Sequence, residues 1–146
     1  MDDVKVEQIQ PKIVIGFDSI NAIIKETGLF LGQPNSVIVI NDSIYICDRA
    51  INAIIVSDMN GHIIRKIGRD GSAPGEFLNP SYITMGNNQI FVHDFGNGRV
   101  QVFNESFQYQ SSIPVAFDPR TNSIAANYNS IFLTGNFNDT NLVMVY

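Results

Sequence analysis

Short apolar runs alternate with small polar clusters along most of the chain, and the runs are rich in Ile, Val, Phe and Tyr. Runs of this kind are typical of β-strands, whereas an amphipathic helix places apolar residues three and four positions apart over a longer segment. The clusters between the runs contain Asn, Asp and Gly, which tolerate the positive φ angles of tight hairpins. Residues 21–25 are the one ambiguous piece, and they are too short to support a helix. The pattern therefore predicts an all-β fold.

The pattern divides the strands into consecutive sets. Each of the first two sets has four strands, and a looser third set stops at its third strand. Two further strands are predicted near the N-terminus, at residues 4–9 and 12–17. The predicted strands of the three sets are residues 37–40, 44–48, 53–57 and 63–67, then 82–85, 90–94, 100–103 and 107–113, then 123–126, 131–134 and 142–146.

The first two sets are copies of one sequence repeat. Residues 44–48 align with residues 90–94 at an offset of 46 positions, and Pro34 aligns with Pro80 at the same offset. Residues 54–56 and 100–102 give a third match without a gap. A period of this length fits the four-stranded blade of a β-propeller. The repeat therefore predicts an array of such blades.

The stretch from residue 68 to residue 103 is the best copy, and it resembles the blade of the NHL-repeat β-propellers. That family has a Pro-Gly-x-Phe segment and a further Pro before the first strand, matched here by residues 74–77 and Pro80. A strand ending in Asp follows, matched by Asp94, and then a Gly/Asn turn and an Arg-Val-x-Val-Phe strand, matched by residues 96–98 and 99–103. The resemblance covers most of the chain, although the other copies are degenerate.

The first copy keeps the strand-end acid, as Asp48, but has Ala53 at the position of Arg99. The third copy has Gly135 at the position of the acid. The chain is also similar to the bacterial six-bladed propellers, many of which are cell-envelope proteins. The resemblance implies a single partial propeller domain of about three four-stranded antiparallel blades. Its expected parts are residues 1–27 as strands of a closing or preceding blade, 28–68 and 69–113 as blades, and 114–146 as an incomplete blade.

A ring of this type needs more blades than the repeats provide, because open ends would leave unpaired strand edges and apolar faces. We expect the chain to be a fragment of a longer propeller, or half of a ring that self-association with a partner chain completes. The 146 residues are 45% hydrophobic and 16% charged, as in globular proteins. The N-terminus lacks the apolar core of a signal peptide, and no run reaches membrane-spanning length. These observations leave a cytoplasmic location open, or a mature or truncated form whose export signal was removed. The resemblance favours the second, with an extracytoplasmic, cell-envelope location.

The charge argues against nucleic acid as a partner. The net charge is −5, and the Lys and Arg residues are spread along the chain apart from one small cluster at residues 65–69. Binding to the phosphate backbone normally requires a basic patch. Some NHL propellers bind RNA, but no nucleic acid is expected as a partner here.

The residues with the best chemistry favour structural roles. Asp94 and Arg99 flank a tight turn, where a strand-end Asp usually accepts backbone N–H bonds. His93 and His62 lie in different strand environments, so they do not form a metal or acid–base site. Cys47 is predicted to be a buried small hydrophobe. The glycine-rich residues 68–75 have no P-loop ending, so they are predicted to connect two blades. We predict no catalytic, cofactor-binding or metal-binding residues and no cofactor.

The leading hypothesis is a non-catalytic NHL-type binding module that presents loops at one rim of the propeller to a ligand. Whether that ligand is a protein or a small molecule stays open. The alternative is a propeller lyase or hydrolase whose active-site residues lie in blades that this chain does not contain. The candidate ligand-facing residues are Tyr45, Arg49, Phe91, Phe95 and Asn97.

Overall fold

The computed structural model describes residues 31–115, 123–137 and 140–145. The two strands predicted at residues 4–9 and 12–17, and the terminal Tyr146, lie outside the described residues. Within the described part, the chain forms antiparallel sheets of consecutive strands, as the alternating apolar pattern predicts.

The described strands form three sheets, which we call blades 1, 2 and 3. Within a blade, each strand pairs with its neighbours in the chain, so the order in blade 1 is β1-β2-β3-β4 and the order in blade 2 is β5-β6-β7-β8. In blade 3 the central strand β10 pairs with β9 and β11. The strands are β1 Pro34–Ile40, β2 Ser43–Asp48, β3 Ala53–Asp58, β4 Ile63–Ile67, β5 Pro80–Gly86, β6 Gln89–Asp94, β7 Arg99–Asn104, β8 Tyr109–Pro114, β9 Ser123–Ala126, β10 Ile131–Phe137 and β11 Thr140–Val145.

The first strands of the three blades lie beside one another. Strand β5 contacts β1 on one side and β9 on the other. This is the arrangement of a propeller, in which the first strand of each blade is the innermost. The prediction of an all-β partial propeller is therefore confirmed.

The hairpins between the first two strands of blades 1 and 2 have the predicted turn chemistry. Asn41 and Asp42 have φ angles of 45° and 56°, and Asn87 and Asn88 have φ angles of 49° and 57°. Two successive positive φ angles give the primed turns that match strand twist. Asn and Asp adopt this conformation at low cost, so the sequence fixes these turns locally.

Two apolar clusters fill the spaces between the blades, and alternate residues of strand β6 enter different clusters. Ile90 and Val92 enter the cluster between blades 1 and 2, whereas Phe91 enters the one between blades 2 and 3. This is the period-two alternation of a strand that is buried on both faces. The first cluster contains Ile40, Tyr45, Cys47, Ile54, Val56, Phe77, Ile83, Ile90, Val92, Phe103 and Phe107, and the second contains Phe91, Val100, Val102, Val115, Ile124, Ile131 and Leu133.

Phe77 anchors the connection between blades 1 and 2. Its side chain is fully buried against Phe103, with ring centroids 6.0 Å apart. Gly68 lies directly against this ring at a φ of 81°, and a Cβ atom there would lie 2.4 Å from the Phe77 ring. Burying a phenylalanine side chain contributes about 2–3 kcal/mol to stability. The prediction that the glycine-rich residues 68–75 connect two blades is confirmed, because they lie between β4 of blade 1 and β5 of blade 2.

Phe107 differs from the prediction, which placed it at the start of the last strand of blade 2. Strand β8 begins at Tyr109, and Phe107 lies in the preceding turn with a φ of 59°. Its N–H donates to the carbonyl of Asn104 at 2.9 Å, and its ring stacks on Tyr45 at 5.1 Å. The apolar ring looked like part of a strand, but it is buried from a turn because the cluster between the blades accepts it.

Candidate functional site

The strand-end carboxylate of Asp94 ties blade 2 to the connection that precedes it. It is fully buried and accepts four hydrogen bonds. The backbone N–H of Leu78 donates at 2.7 Å, and the side chain of Arg99 donates through Nε at 2.8 Å. The side-chain amides of Asn97 and Gln101 donate at 2.9 and 3.0 Å. This closure satisfies a buried charge, as a stable fold requires.

The same three side chains also bind the backbone of the blade connection. Arg99 Nη2 donates to the carbonyls of Ala73 and Glu76 at 3.0 and 3.1 Å. Gln101 donates to the Glu76 carbonyl at 2.7 Å, and Asn97 donates to the carbonyl of Gly71 at 2.9 Å. The predicted structural role of the Asp94–Arg99 pair is therefore confirmed.

Asp48 closes blade 1 in a different way. It is fully buried and accepts four bonds, all from backbone N–H groups. Gly32 and Gln33 donate at 2.7 and 3.0 Å, and Ala50 and Ile51 donate at 3.0 and 3.3 Å. The carboxylate therefore fixes both the chain that enters the blade and the turn after strand β2.

The residue after each strand-end Asp lies at the rim, where the two turns meet. These residues are Arg49 in blade 1 and Phe95 in blade 2, and they occupy equivalent positions of the repeat. The guanidinium carbon of Arg49 lies 5.6 Å from the centroid of the Phe95 ring, which is a cation–π contact. Both residues are half-buried. No hydrogen bond or ion pair joins this guanidinium to any residue that the structure describes.

Both turns are held by backbone bonds. The N–H of Arg49 donates to the carbonyl of Gln33 at 3.0 Å. Phe95 begins a 3₁₀ turn, Phe95–Asn97, which ends at Gly98 with a φ of 61°. The Gly98 N–H donates back to the Phe95 carbonyl at 3.1 Å. The Cα atoms that carry the guanidinium and the ring are therefore fixed by their own blades.

His93 lies beneath the rim and supports Phe95. The two rings meet edge to face with centroids 5.9 Å apart, and the other neighbour of His93, Tyr82, stacks on it at 6.3 Å. Ser81 Oγ lies 2.9 Å from His93 Nδ1. Burial lowers the pKa of His93 to about 4, although the charge of Asp94 opposes the shift. The imidazole is therefore neutral at pH 7 and does not act as a base near neutrality.

The five residues predicted to face a ligand divide into two groups. Tyr45 and Phe91 are 7% and 6% exposed and lie in the two core clusters. Arg49, Phe95 and Asn97 are half-buried at the turns, and the amide of Asn97 is engaged by Asp94 and Gly71. The structure thus brings Arg49 and Phe95 together and places the predicted aromatic residues of β2 and β6 inside the core.

Sequence reasoning named Arg49 and Phe95 but did not pair them. The available signal was the repeat itself, because the two residues follow equivalent acids in adjacent blades. It also missed the Ser81–His93 bond. The pairing of β5 with β6 is irregular between Pro80 and Tyr82, and no feature of the sequence marks that irregularity.

The described residues offer few other groups for metal binding or catalysis. No group of three His, Cys, Asp or Glu side chains is placed there to hold a metal ion. Burial raises the pKa of the Cys47 thiol, and the charges of Asp48 and Asp94 add to the shift, so the thiol is unreactive in the fold. No helix among the described residues is long and apolar enough to cross a membrane.

Comparison with protein families gives a match over most of the chain. Residues 25–145 match the model of the family DUF5128, described as a 6-bladed β-propeller. The chain belongs to this six-bladed β-propeller family. The match covers all three described blades. A search of curated proteins found no match.

Solved structures with similar folds are also propellers or contain them. A protein of Bacteroides fragilis NCTC 9343, described as a candidate exported protein, matches with a TM-score of 0.61 and 19% identity over 75% of this chain and 31% of its own. A chain of a nidogen/laminin complex matches with a TM-score of 0.60 and 16% identity over 78% of this chain and 43% of its own. Glutaminyl cyclase of Myxococcus xanthus matches with a TM-score of 0.55 and 14% identity over 73% of this chain and 52% of its own.

The chain spans between about a third and about half of the length of these solved structures. At such low identity the likeness concerns the fold alone. The fold does not fix the function, because unrelated activities are built on the same propeller.

Proposed function

We propose that this six-bladed-type propeller is a non-catalytic binding module of the NHL kind, and that Arg49 and Phe95 form part of its ligand-facing rim. The observation that carries the proposal is the cation–π pair at 5.6 Å, whose guanidinium has no hydrogen-bond partner among the described residues. Rim loops of repeat folds commonly bind ligands on a rigid scaffold. Arginine and aromatic residues are also enriched among residues that dominate binding energy.

The acid–base candidates of the described blades support a binding role over a catalytic one. Asp94 and Arg99 use their polar atoms to close blade 2, and Asp48 is satisfied by four backbone N–H groups. His93 is buried and neutral. A general base must reach a substrate with an open lone pair and a suitable pKa. These four residues serve the fold instead.

The test is a binding screen on the purified protein and on two matched variants. Arg49→Ala removes the rim guanidinium, and Arg65→Ala removes one from the exposed outer strand β4 with the same change in charge. A panel of peptides, sugars and organic acids is tested by calorimetry, and each mixture is then examined by mass spectrometry. We expect saturable binding that Arg49→Ala weakens and Arg65→Ala preserves, with every ligand recovered unchanged.

The alternative, a propeller lyase or hydrolase with active-site residues in other blades, makes the opposite prediction. A ligand that is converted to product would overturn the non-catalytic proposal. Binding that survives Arg49→Ala would remove the rim from the proposal while leaving a binding module in place.

Two further parts of the proposal concern location and assembly. We propose a cell-envelope location, supported by the sequence resemblance, and cell fractionation tests it. We also propose that the ring is completed either by further blades of a longer protein or by self-association. Sedimentation of the chain distinguishes these: a compact dimer supports self-association, and a monomer or nonspecific aggregate contradicts it.

A further inference from the structure

The geometry points to a carboxylate-binding subsite at Arg49, with Phe95 as its positioning residue. This inference rests on the proposed function and names the chemical class of the ligand. Two residues from equivalent positions of adjacent blades meet at the rim, so the subsite spans the boundary between blade 1 and blade 2.

Among residues 31–115, 123–137 and 140–145, the contact that holds the guanidinium uses none of its hydrogen-bonding capacity. Phe95 contacts it through the face of the ring, which restricts the long side chain but takes none of its N–H donors. No other described residue accepts a bond from it. By contrast, the guanidinium of Arg99, the first residue of β7, donates to three acceptors. These are the carboxylate of Asp94 and the carbonyls of Ala73 and Glu76. Within the described part of the chain, the Arg99 guanidinium is therefore engaged by the fold, whereas the donors of Arg49 have no acceptor.

The subsite is rigid before a ligand arrives. Arg49 is tied at its own N–H to Gln33, and the next two N–H groups, of Ala50 and Ile51, are bound by Asp48. Phe95 is fixed by its 3₁₀ turn and by the edge of His93. A preorganised donor loses less conformational entropy on binding, so its hydrogen bonds contribute more to affinity.

A carboxylate fits this site better than a phosphate. The planar guanidinium donates two parallel bonds to the two oxygens of one carboxylate, and one positive charge balances one negative charge. Phosphate at pH 7 carries more charge than one guanidinium offsets, and the chain has a net charge of −5. Partial burial of Arg49 further strengthens a charged hydrogen bond relative to water.

The direct test follows the Nε–Hε signal of Arg49 by NMR in the ¹⁵N-labelled chain. The signal is assigned by its loss in Arg49→Gln, and the signal of Arg65 serves as the internal control. Acetate is titrated against sodium chloride at matched ionic strength. We expect a saturable shift of the Arg49 signal with acetate, little shift with chloride, and no saturable shift at Arg65.

Two further arms separate the sources of the carboxylate. One compares a short neutral peptide with a free C-terminus and the same peptide with an amidated C-terminus. The other uses an amidated peptide with one internal Glu. Loss of binding on amidation assigns the subsite to a chain terminus, binding of the Glu peptide assigns it to an acidic side chain, and binding of acetate without either peptide assigns it to small organic acids. Each result supports a carboxylate ligand.

Two variants measure how much the guanidinium and the aromatic ring contribute to carboxylate binding. Arg49→Gln is expected to weaken carboxylate binding about tenfold or more, because charge-assisted bonds are lost. Phe95→Leu keeps an apolar side chain but removes the π face, so about threefold weaker binding and a broader range of Arg49 conformations are expected.

Three outcomes overturn the inference. The first is an Arg49 signal that acetate shifts no more than chloride does while neutral ligands still perturb rim signals, in which case the binding module stands and the carboxylate subsite falls. The second is tighter binding of inorganic phosphate than of acetate. If neither neutral nor acidic ligands perturb any rim signal, both the subsite and the proposed function fail.

Discussion

Blades 1 and 2 satisfy the buried carboxylate at the end of their second strand with different hydrogen-bond donors. In each blade a buried Asp at the end of the second strand accepts four hydrogen bonds and closes the blade. Asp48 takes all four from backbone N–H groups, whereas Asp94 takes one from the backbone and three from the side chains of Asn97, Arg99 and Gln101.

The difference follows from the repeat. The positions of the three donor side chains in blade 2 are occupied in blade 1 by Ile51, Ala53 and Ile55. Blade 1 therefore has the acid without the polar donors, and backbone N–H groups bind the carboxylate instead. A degenerate repeat can thus keep its fold, because the requirement is a satisfied carboxylate rather than a particular partner.

The largest expected effect comes from removing each acid. Asp94→Ala leaves the largely buried Arg99 without its counter-ion and removes one of the two acceptors of each of two side-chain amides, so we expect a loss of about 3–5 kcal/mol in the free energy of unfolding. Asp48→Ala leaves only backbone N–H groups near the exposed Gly32 and Ala50, where water can replace the carboxylate, so a loss of about 1–3 kcal/mol is expected.

Urea denaturation of the two variants measures the difference. A loss for Asp48→Ala that equals or exceeds the loss for Asp94→Ala would contradict this prediction. Closure by side-chain donors would then stabilise its blade no more than closure by backbone N–H groups.

A second prediction uses the residues before these acids, Cys47 in blade 1 and His93 in blade 2. Burial lowers the pKa of His93 from 6.5 to about 4, so the unfolded chain binds a proton at pH values where the folded chain does not. Stability from this group is complete above pH 6.5 and is lost as the pH falls toward 4. Between pH 7 and pH 5, the wild-type protein should lose about 2 kcal/mol more than a variant without the imidazole.

The variant is His93→Cys, which copies the residue of blade 1. Its absolute stability falls because the ring contacts with Tyr82 and Phe95 are lost, so the informative quantity is the change between the two pH values. Carboxylates that titrate in this range contribute equally to both proteins and cancel. Equal pH dependence of the two proteins would mean that His93 titrates normally in the fold.

The sequence predicts the fold well because each strand and turn is set locally. Strand β4, Ile63–Ile67, and strand β9, Ser123–Ala126, match their predicted bounds. The acid that closes the best repeat was also assigned correctly, because Asp94 and Arg99 belong to one short motif. For the rim, the sequence predicted single ligand-facing residues but not which of them are in contact. Tyr45 and Phe91 resemble loop-side aromatics in the sequence, but packing between blades buries them, and a single sequence does not show which faces of adjacent sheets meet.

The third prediction exchanges the donors of the two blades. Gln101→Ile copies Ile55 and leaves the Gly75 N–H without its acceptor, in a half-buried region that water partly reaches. It also removes one of the two donors to the Glu76 carbonyl. We expect a loss of about 1–2 kcal/mol in the free energy of unfolding. The reverse change, Ile55→Gln, buries an amide at a fully buried position and should also destabilise the fold. Stability gained in either exchange would contradict the view that each blade is matched to its own donor set.

The smallest effect is expected at Arg69, the exposed counterpart of Arg99. Both arginines hold the Glu76 segment, but the Arg69 side chain is 79% exposed and the Arg99 side chain is 15% exposed. The pKa of Glu76 is lowered mainly by the N–H of Ala73 and to a lesser extent by Arg69. The main cause of the lowered pKa is therefore still present in the Arg69→Ala variant. We expect an unchanged urea midpoint and a Glu76 pKa that stays below its usual value, measured by NMR titration. Exposed ion pairs contribute little because solvent screens them. A large fall in the midpoint for Arg69→Ala, as large as for Arg99→Ala, would place the strength of the blade connection at its surface rather than at the buried Asp94 closure.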